Sequence, residues 1–156
     1  MADTKSRTKS SARRDESPSA WTDAERAAMK ERAKELKGAK GRGKGKVDGE
    51  SDLLAKVAEM RPPDREMAER IHAIVKENAP QLEAKTWYGM PAWARNGKVV
   101  CFFKAADKFN SRYATFGFEE AATLDDGSMW ATSWALTKLT SADERTIAQL
   151  VKRSVS

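Results

Sequence analysis

The sequence has few of the residues that catalytic and metal sites use most. Its 156 residues include one cysteine, Cys101, and one histidine, His72. A single cysteine excludes an internal disulfide and favours a reducing compartment. The chain has no serine nucleophile elbow, no dinucleotide fingerprint and no paired metal-ligand spacing. These absences favour a non-catalytic protein, although an acid–base pair of carboxylates leaves no motif in a sequence.

Long apolar runs are also missing. No stretch approaches the roughly 20 apolar residues of a membrane-spanning helix. The first 20 residues are rich in Ser, Thr, Lys and Arg and lack the apolar segment of a signal peptide. We therefore expect a cytoplasmic protein with no membrane partner.

Positive charge is concentrated at the N-terminal end. Residues 1–50 hold 14 Lys and Arg against 9 Asp and Glu, whereas residues 51–156 hold 15 against 14. This contrast predicts a basic N-terminal arm over 1–50 and a folded domain over 51–156. The composition of residues 1–20 predicts disorder, because so few apolar groups cannot repay the entropy of ordering.

A run of cations and glycines follows within the arm. Residues 37–46 hold five cations, four glycines and no acid, which predicts a flexible linker. Such a run can neutralise nucleic-acid phosphates without reading base edges. The candidate nucleic-acid contacts are Lys37, Lys40, Arg42, Lys44 and Lys46.

Helical periodicity marks four segments. In the arm, Thr22 and Glu25 have capping-box spacing and predict a helix over 23–37. In the body, a short helix begins near residue 51 and ends before two prolines, and a longer helix covers 64–78. The last helix begins at a second box, Ser141 with Glu144.

Between the helices the hydrophobic period changes to two. Asn96-Gly97 predicts a tight hairpin that pairs Trp93 with Val100. Further strands are predicted over 112–118 and 129–136. The whole pattern predicts an α+β fold, with an antiparallel sheet of four or five strands and helices on one face.

The predicted hairpin register gives the sheet a core face and an outer face. Opposed residues share a face, so Cys101 lies inside, and Trp93 and Phe102 lie outside. The stretch "YGMP" reads as a sharp corner between two strands, because its proline cannot donate to a ladder. An aromatic face rimmed by cations suits an anionic ligand, and cover by the N-terminal helix or a partner chain is the alternative. The candidate ligand-binding residues are Trp87, Tyr88, Gly89, Met90, Pro91, Trp93, Phe102 and Lys104.

Three motifs carry a family resemblance. They are Ala79-Pro80, Tyr88-Gly89-Met90-Pro91 and Gly97-Lys98-Val99-Val100. With them, residues 52–155 resemble the YdhG-like family, a bacterial domain of unknown function. The resemblance implies a frataxin-like shape and, by analogy with members proposed as iron chaperones, iron as a cargo.

Carboxylate oxygens are ligands that hard iron ions favour. Glu66 and Glu69 on the 64–78 helix are the candidates, but Arg65 and Arg70 are interleaved with them. A mixed face largely neutralises itself, so any iron binding is predicted to be weak.

Three hypotheses stay open on the sequence. The protein is a non-catalytic binding domain that delivers iron to an acceptor protein or holds a small anionic ligand. Alternatively, it associates with nucleic acid through the basic arm, or it forms a homodimer through its aromatic face.

Overall fold

A five-stranded antiparallel sheet carries the domain, with its strands adjacent in chain order. The computed structural model describes the backbone of residues 21–41 and 46–156 and the side chains of 21–38 and 49–156. The strands are β1 (Glu83–Trp87), β2 (Met90–Arg95), β3 (Lys98–Lys104), β4 (Ala114–Phe118) and β5 (Ser133–Leu136). The predicted disorder of residues 1–20 lies outside the described residues.

Four helices occur in the described part of the chain. They are α1 (Asp23–Gly41), α2 (Lys46–Ala58), α3 (Pro62–Asn78) and α4 (Ser141–Ser154). The apolar stripes of α2, α3 and α4 bury Leu53, Ile71 and Val151 completely against the sheet. The predicted α+β fold with an antiparallel sheet is therefore confirmed.

The helix ends differ from the predictions in two places. The box of α4 is formed one residue earlier, because the Thr140 hydroxyl accepts from the Asp143 amide at 3.1 Å, and the Asp143 carboxylate accepts from the Thr140 amide at 2.9 Å. The predicted box of Ser141 with Glu144 is thus wrong. At α1, the Thr22 hydroxyl accepts from the Glu25 amide at 3.1 Å, as predicted.

The predicted linker is partly helical. Helix α1 continues to Gly41, and α2 begins at Lys46, so flexibility over 37–41 is a wrong prediction, and residues 42–45 lie outside the described part. The predicted boundary at residue 50 falls inside α2. Close to this boundary, Gly49 packs so tightly on β1 that a Cβ would overlap the Ala84 carbonyl.

A β-bulge changes the predicted register of β2 and β3. Pairing is as predicted beside the turn, but Trp93 then faces Cys101, which leaves Val100 as an extra residue on β3. Side chains alternate along a strand, so Trp93 and Pro91 lie on the core face and Ala92 on the outer face. The prediction that Trp93 lies on the outer face is wrong, because nothing in the alternating pattern signals a bulge.

Trp93 is 1% exposed and belongs to the core cluster. Cys101 is fully buried in the same cluster, as predicted, and burial raises the pKa of its thiol. None of the described helices combines the length and the apolar character that crossing a membrane requires.

Candidate functional site

The eight candidate ligand residues are divided between the two faces of the sheet. Pro91 and Trp93 are buried in the core. On the outer side, the Trp87 ring lies 5.5 Å from Phe102 and 5.3 Å from Tyr88, measured between centroids. These three rings are partly exposed, with Met90 paired to Trp87 beside them.

The remaining outer-face candidate, Lys104, places its ammonium 5.0 Å from the centroid of the Phe109 ring. Phe102 also covers Gly117, where a Cβ would stand 2.5 Å from the Phe102 ring. The outer aromatic residues thus pack on one another and on a neighbouring strand of the sheet.

Trp93 has a structural role instead. Its indole N–H donates to Nδ1 of His72 at 3.1 Å, and Nε2 of His72 lies 2.9 Å from the Glu50 carboxylate. An indole nitrogen can only donate, so Nδ1 carries no proton and Nε2 donates to Glu50. Lys76 donates to the same carboxylate oxygen at 2.6 Å. Both ring nitrogens of His72 are therefore engaged in holding α2, α3 and β2 together.

The motif Tyr88-Gly89 forms the hairpin turn between β1 and β2. Trp87 pairs with Met90, so these two residues are the whole loop, and both have positive φ, 53° and 74°. This is the signature of a type I′ turn, which normally uses Asn-Gly. A bulky residue such as tyrosine is a genuine outlier in the left-handed region, at a cost of about 1–2 kcal/mol.

The two amides of this turn bind a carboxylate. The Tyr88 N–H donates to one oxygen of Glu35 at 3.2 Å, and the Gly89 N–H donates to the other at 3.0 Å. Consecutive N–H groups that point the same way form an anion-binding nest. Glu35 belongs to α1, and its side chain is only 12% exposed. An anion therefore occupies the turn, and the chain itself provides it.

Cations surround the nest. Lys108 donates to the Gly89 carbonyl at 3.0 Å, and the Arg32 guanidinium lies 5.6 Å from the centroid of the Tyr88 ring. A second carboxylate of α1, Glu31, approaches Gly89 and accepts from Lys56 of α2 at 2.8 Å. Lys85 lies on the same face of β1 as Trp87 and interacts electrostatically with Glu35. We call the amides of Tyr88 and Gly89, with Lys56, Lys85 and Lys108, the corner site.

The charges of the corner site interact strongly. Burial would raise the pKa of the Glu31 carboxyl, but the hydrogen bond and charge of Lys56, with the charge of Lys108, lower it below its ordinary value. The pKa of the Lys56 ammonium is raised, because Glu31 outweighs the opposing effect of burial. Burial and the charge of Arg32 lower the pKa of Lys85.

The predicted metal ligands Glu66 and Glu69 are both exposed on α3. Among the side chains of residues 21–38 and 49–156, no group of three His, Cys, Asp or Glu is placed to hold a metal ion. Of the predicted nucleic-acid contacts, Lys37 is exposed on α1. The side chains of the other four lie outside the described residues.

Two clefts lie elsewhere on the molecule. One of about 150 Å³ borders His72 and Glu50, whose polar atoms already bind each other. The other, of about 300 Å³, lies at the start of α3, where Arg61 pairs with Asp107 at 3.0 Å. The corner site is the better candidate, because two consecutive backbone amides there already hold one carboxylate.

Sequence reasoning found the turn but missed the groups that surround it. Glu35 and Glu31 are spaced four residues apart on one helix, and Lys108 follows β3. The i, i+4 spacing of the two acids is visible in the sequence, but it also fits an ordinary solvated helix face. No local pattern reports a contact between residues 53 or 54 positions apart.

Fold and site together define an α+β protein with an anion-binding hairpin turn. Comparison with family models, curated proteins and solved structures finds no match to this chain. The resemblance to the YdhG-like family therefore stays a prediction from the sequence motifs.

Proposed function

We propose that the protein is a non-catalytic binding domain of the YdhG-like type that holds a small anionic ligand at the corner site. The observation that carries the proposal is the carboxylate of Glu35, which accepts from the amides of both Tyr88 and Gly89. A turn that already binds one carboxylate has the geometry to bind another, or to bind a phosphate.

The strain at Tyr88 supports a binding role. Tyrosine in a left-handed conformation is unfavourable, and such outliers persist where the surroundings fix them, often at ligand sites. Here the ring contacts Trp87 and Arg32 while the amide stays directed at Glu35. The turn keeps its anion-binding amides in place at the expense of backbone strain.

A binding role without catalysis agrees with the state of the two most reactive side chains. Both ring nitrogens of His72 are hydrogen-bonded, so neither is free to act as a base. The thiol of Cys101 is fully buried, and its raised pKa keeps it protonated. A reducing cytoplasm suits this single free thiol. Iron delivery, nucleic-acid binding through the arm and homodimer formation stay predictions from the sequence.

The test is a titration of the full-length Glu35→Ala chain with inorganic phosphate, followed by amide NMR. Phosphate should shift the amide resonances of Tyr88 and Gly89 in a saturable manner. The amides of Asn96 and Gly97, in the other two-residue turn, provide the internal control and should not move. Equal shifts at both turns, or none at the first, would refute the proposal.

A matched variant tests the cation. Lys108→Gln removes a positive charge beside the nest while keeping a group that can donate to the Gly89 carbonyl. In the Glu35→Ala background it should weaken phosphate binding about 3- to 10-fold, as expected for the loss of one charged contact near a surface. Unchanged affinity would show that Lys108 only supports the turn.

A further inference from the structure

Resting on the proposed function, we propose that the corner site selects a dianion and that helix α1 is an internal competitor which the ligand displaces. The two carboxylates of α1 serve as the template for the ligand. Glu35 occupies the nest, while Glu31 lies against Gly89 and binds Lys56. The ligand class is therefore a small dicarboxylate, and inorganic phosphate is a probe of the nest.

The spacing of the template sets the size of the ligand. Side chains at i and i+4 on a helix have Cβ atoms about 5–6 Å apart. A compact ligand with two negative charges can thus satisfy the nest and the lysines together. A monocarboxylate can satisfy only one of the two positions. The corner site should therefore prefer a dianion, because the two carboxylates of α1 occupy two positions in it.

Helix α1 is attached in a manner that permits its release. Among its described apolar side chains, Ala28 is the one that is buried, whereas Met29 and Leu36 are 38% and 50% exposed. Its principal contact is with β1, and its specific bonds run from Glu31 and Glu35 to the corner site. With so little apolar burial, polar bonds that a ligand can replace hold much of the helix in place.

An internal competitor lowers the apparent affinity by the fraction of molecules in which the site is open. If α1 is released in about 1–10% of molecules, the apparent Kd is raised about 10- to 100-fold. Removing the two carboxylates should lower the apparent Kd by that factor. The same linkage requires that ligand binding increase the release of α1.

The experiment compares three full-length chains by amide NMR at matched ionic strength. They are the wild type, the double variant Glu31→Ala/Glu35→Ala and the control Glu25→Ala, which removes an exposed carboxylate from the same helix. Alanine preserves helix propensity at each position. The probes are inorganic phosphate, glutarate and acetate, and a second readout is the hydrogen exchange of the α1 amides.

We expect the double variant to bind glutarate and phosphate at least 10-fold more tightly than the wild type, with Glu25→Ala unchanged. Acetate should bind at least 10-fold more weakly than glutarate, and glutarate should speed hydrogen exchange in wild-type α1. If the double variant does not fold, Glu35→Ala alone gives the same comparison.

The outcomes separate the two proposals. Equal affinity in wild type and double variant overturns the competitor role, and equal affinity for acetate and glutarate overturns the dianion preference. Either result leaves the corner site itself standing. Absence of binding in every chain refutes both the inference and the proposed function on which it rests.

Discussion

The two tight turns of the sheet have the same backbone shape, but one is open to solvent and the other is surrounded by charged side chains. Asn96-Gly97, between β2 and β3, has φ values of 52° and 80°, and Tyr88-Gly89 has 53° and 74°. In the turn Asn96-Gly97, both residues are exposed, and a Cβ added to Gly97 would meet nothing within 4 Å. At Gly89 it would meet Lys108 and Glu31.

The difference shows which features the fold requires and which it does not. A type I′ turn needs only two residues that tolerate positive φ, and Asn-Gly meets that need with little strain. Tyr-Gly makes the same turn with more strain and adds two amides bound to Glu35. The additional features at Tyr88-Gly89 are therefore not explained by chain reversal alone.

The largest expected contrast comes from the two glycines. Gly97→Ala should lower the free energy of unfolding by about 1–2 kcal/mol, the cost of left-handed alanine. Gly89→Ala should lower it by the same amount. It also displaces Lys108 from the Gly89 carbonyl, which should destabilise the protein by about 1 kcal/mol more. Urea unfolding measures both free-energy changes. Equal losses of stability would show that the residues around the Tyr88-Gly89 turn contribute nothing.

Exchanging the first residues of the turns tests the strain. Asn96→Tyr should destabilise the protein by about 1–2 kcal/mol, because no ring contact offsets the left-handed tyrosine. Tyr88→Asn relieves that strain but loses ring contacts worth about 0.5–1.5 kcal/mol, so its net effect should be within about 0.5 kcal/mol of zero. Thermal unfolding of both variants provides the measurement. A large loss at Tyr88→Asn would mean that the tyrosine ring, not the turn, holds α1.

The fold was largely predictable because its signals are local. The alternation of the strands, the Asn96-Gly97 turn and the stripes of α3 and α4 each lie within a short window. The β-bulge at Val100 could not be predicted, since no local pattern marks it. The bulge places Trp93 on the core face, where its indole donates to His72. Burial of Cys101 was predicted correctly, although the predicted pairing of Trp93 with Val100 beside it was wrong.

The corner site was half predictable for the same reason. Positive φ at Gly89 and the chain reversal before Pro91 follow from residue types. The occupant of the turn follows from the tertiary position of α1, which depends on ion pairs such as that of Glu31 with Lys56. Ion pairs between distant segments leave no periodic trace in a sequence.

The smallest expected effect is the dependence of α1 docking on pH. The pKa of Glu31 is lowered in the folded protein below its ordinary value of 4.5. Its contribution to docking is therefore complete above about pH 4.5 and is lost as the pH falls through the lowered pKa. The groups that face it are Lys56 of α2 and Lys108 after β3, with Lys34 on α1 itself. The pair with Lys56 is partly exposed, so the effect should be at most about 1 kcal/mol.

Amide NMR between pH 7 and pH 3 tests this at both turns together. The Tyr88 and Gly89 resonances should be constant down to about pH 5 and then move as α1 detaches, whereas those of Asn96 and Gly97 should stay fixed. The pKa of Glu50 is also lowered, by the hydrogen bonds of Lys76 and His72, but this residue links α2 to α3. Comparison with Glu31→Gln separates the two groups, because that variant removes only the change due to Glu31. If Glu31→Gln follows the wild-type curve, Glu31 does not hold the helix, and the bonds to Glu35 alone distinguish the first turn from the second.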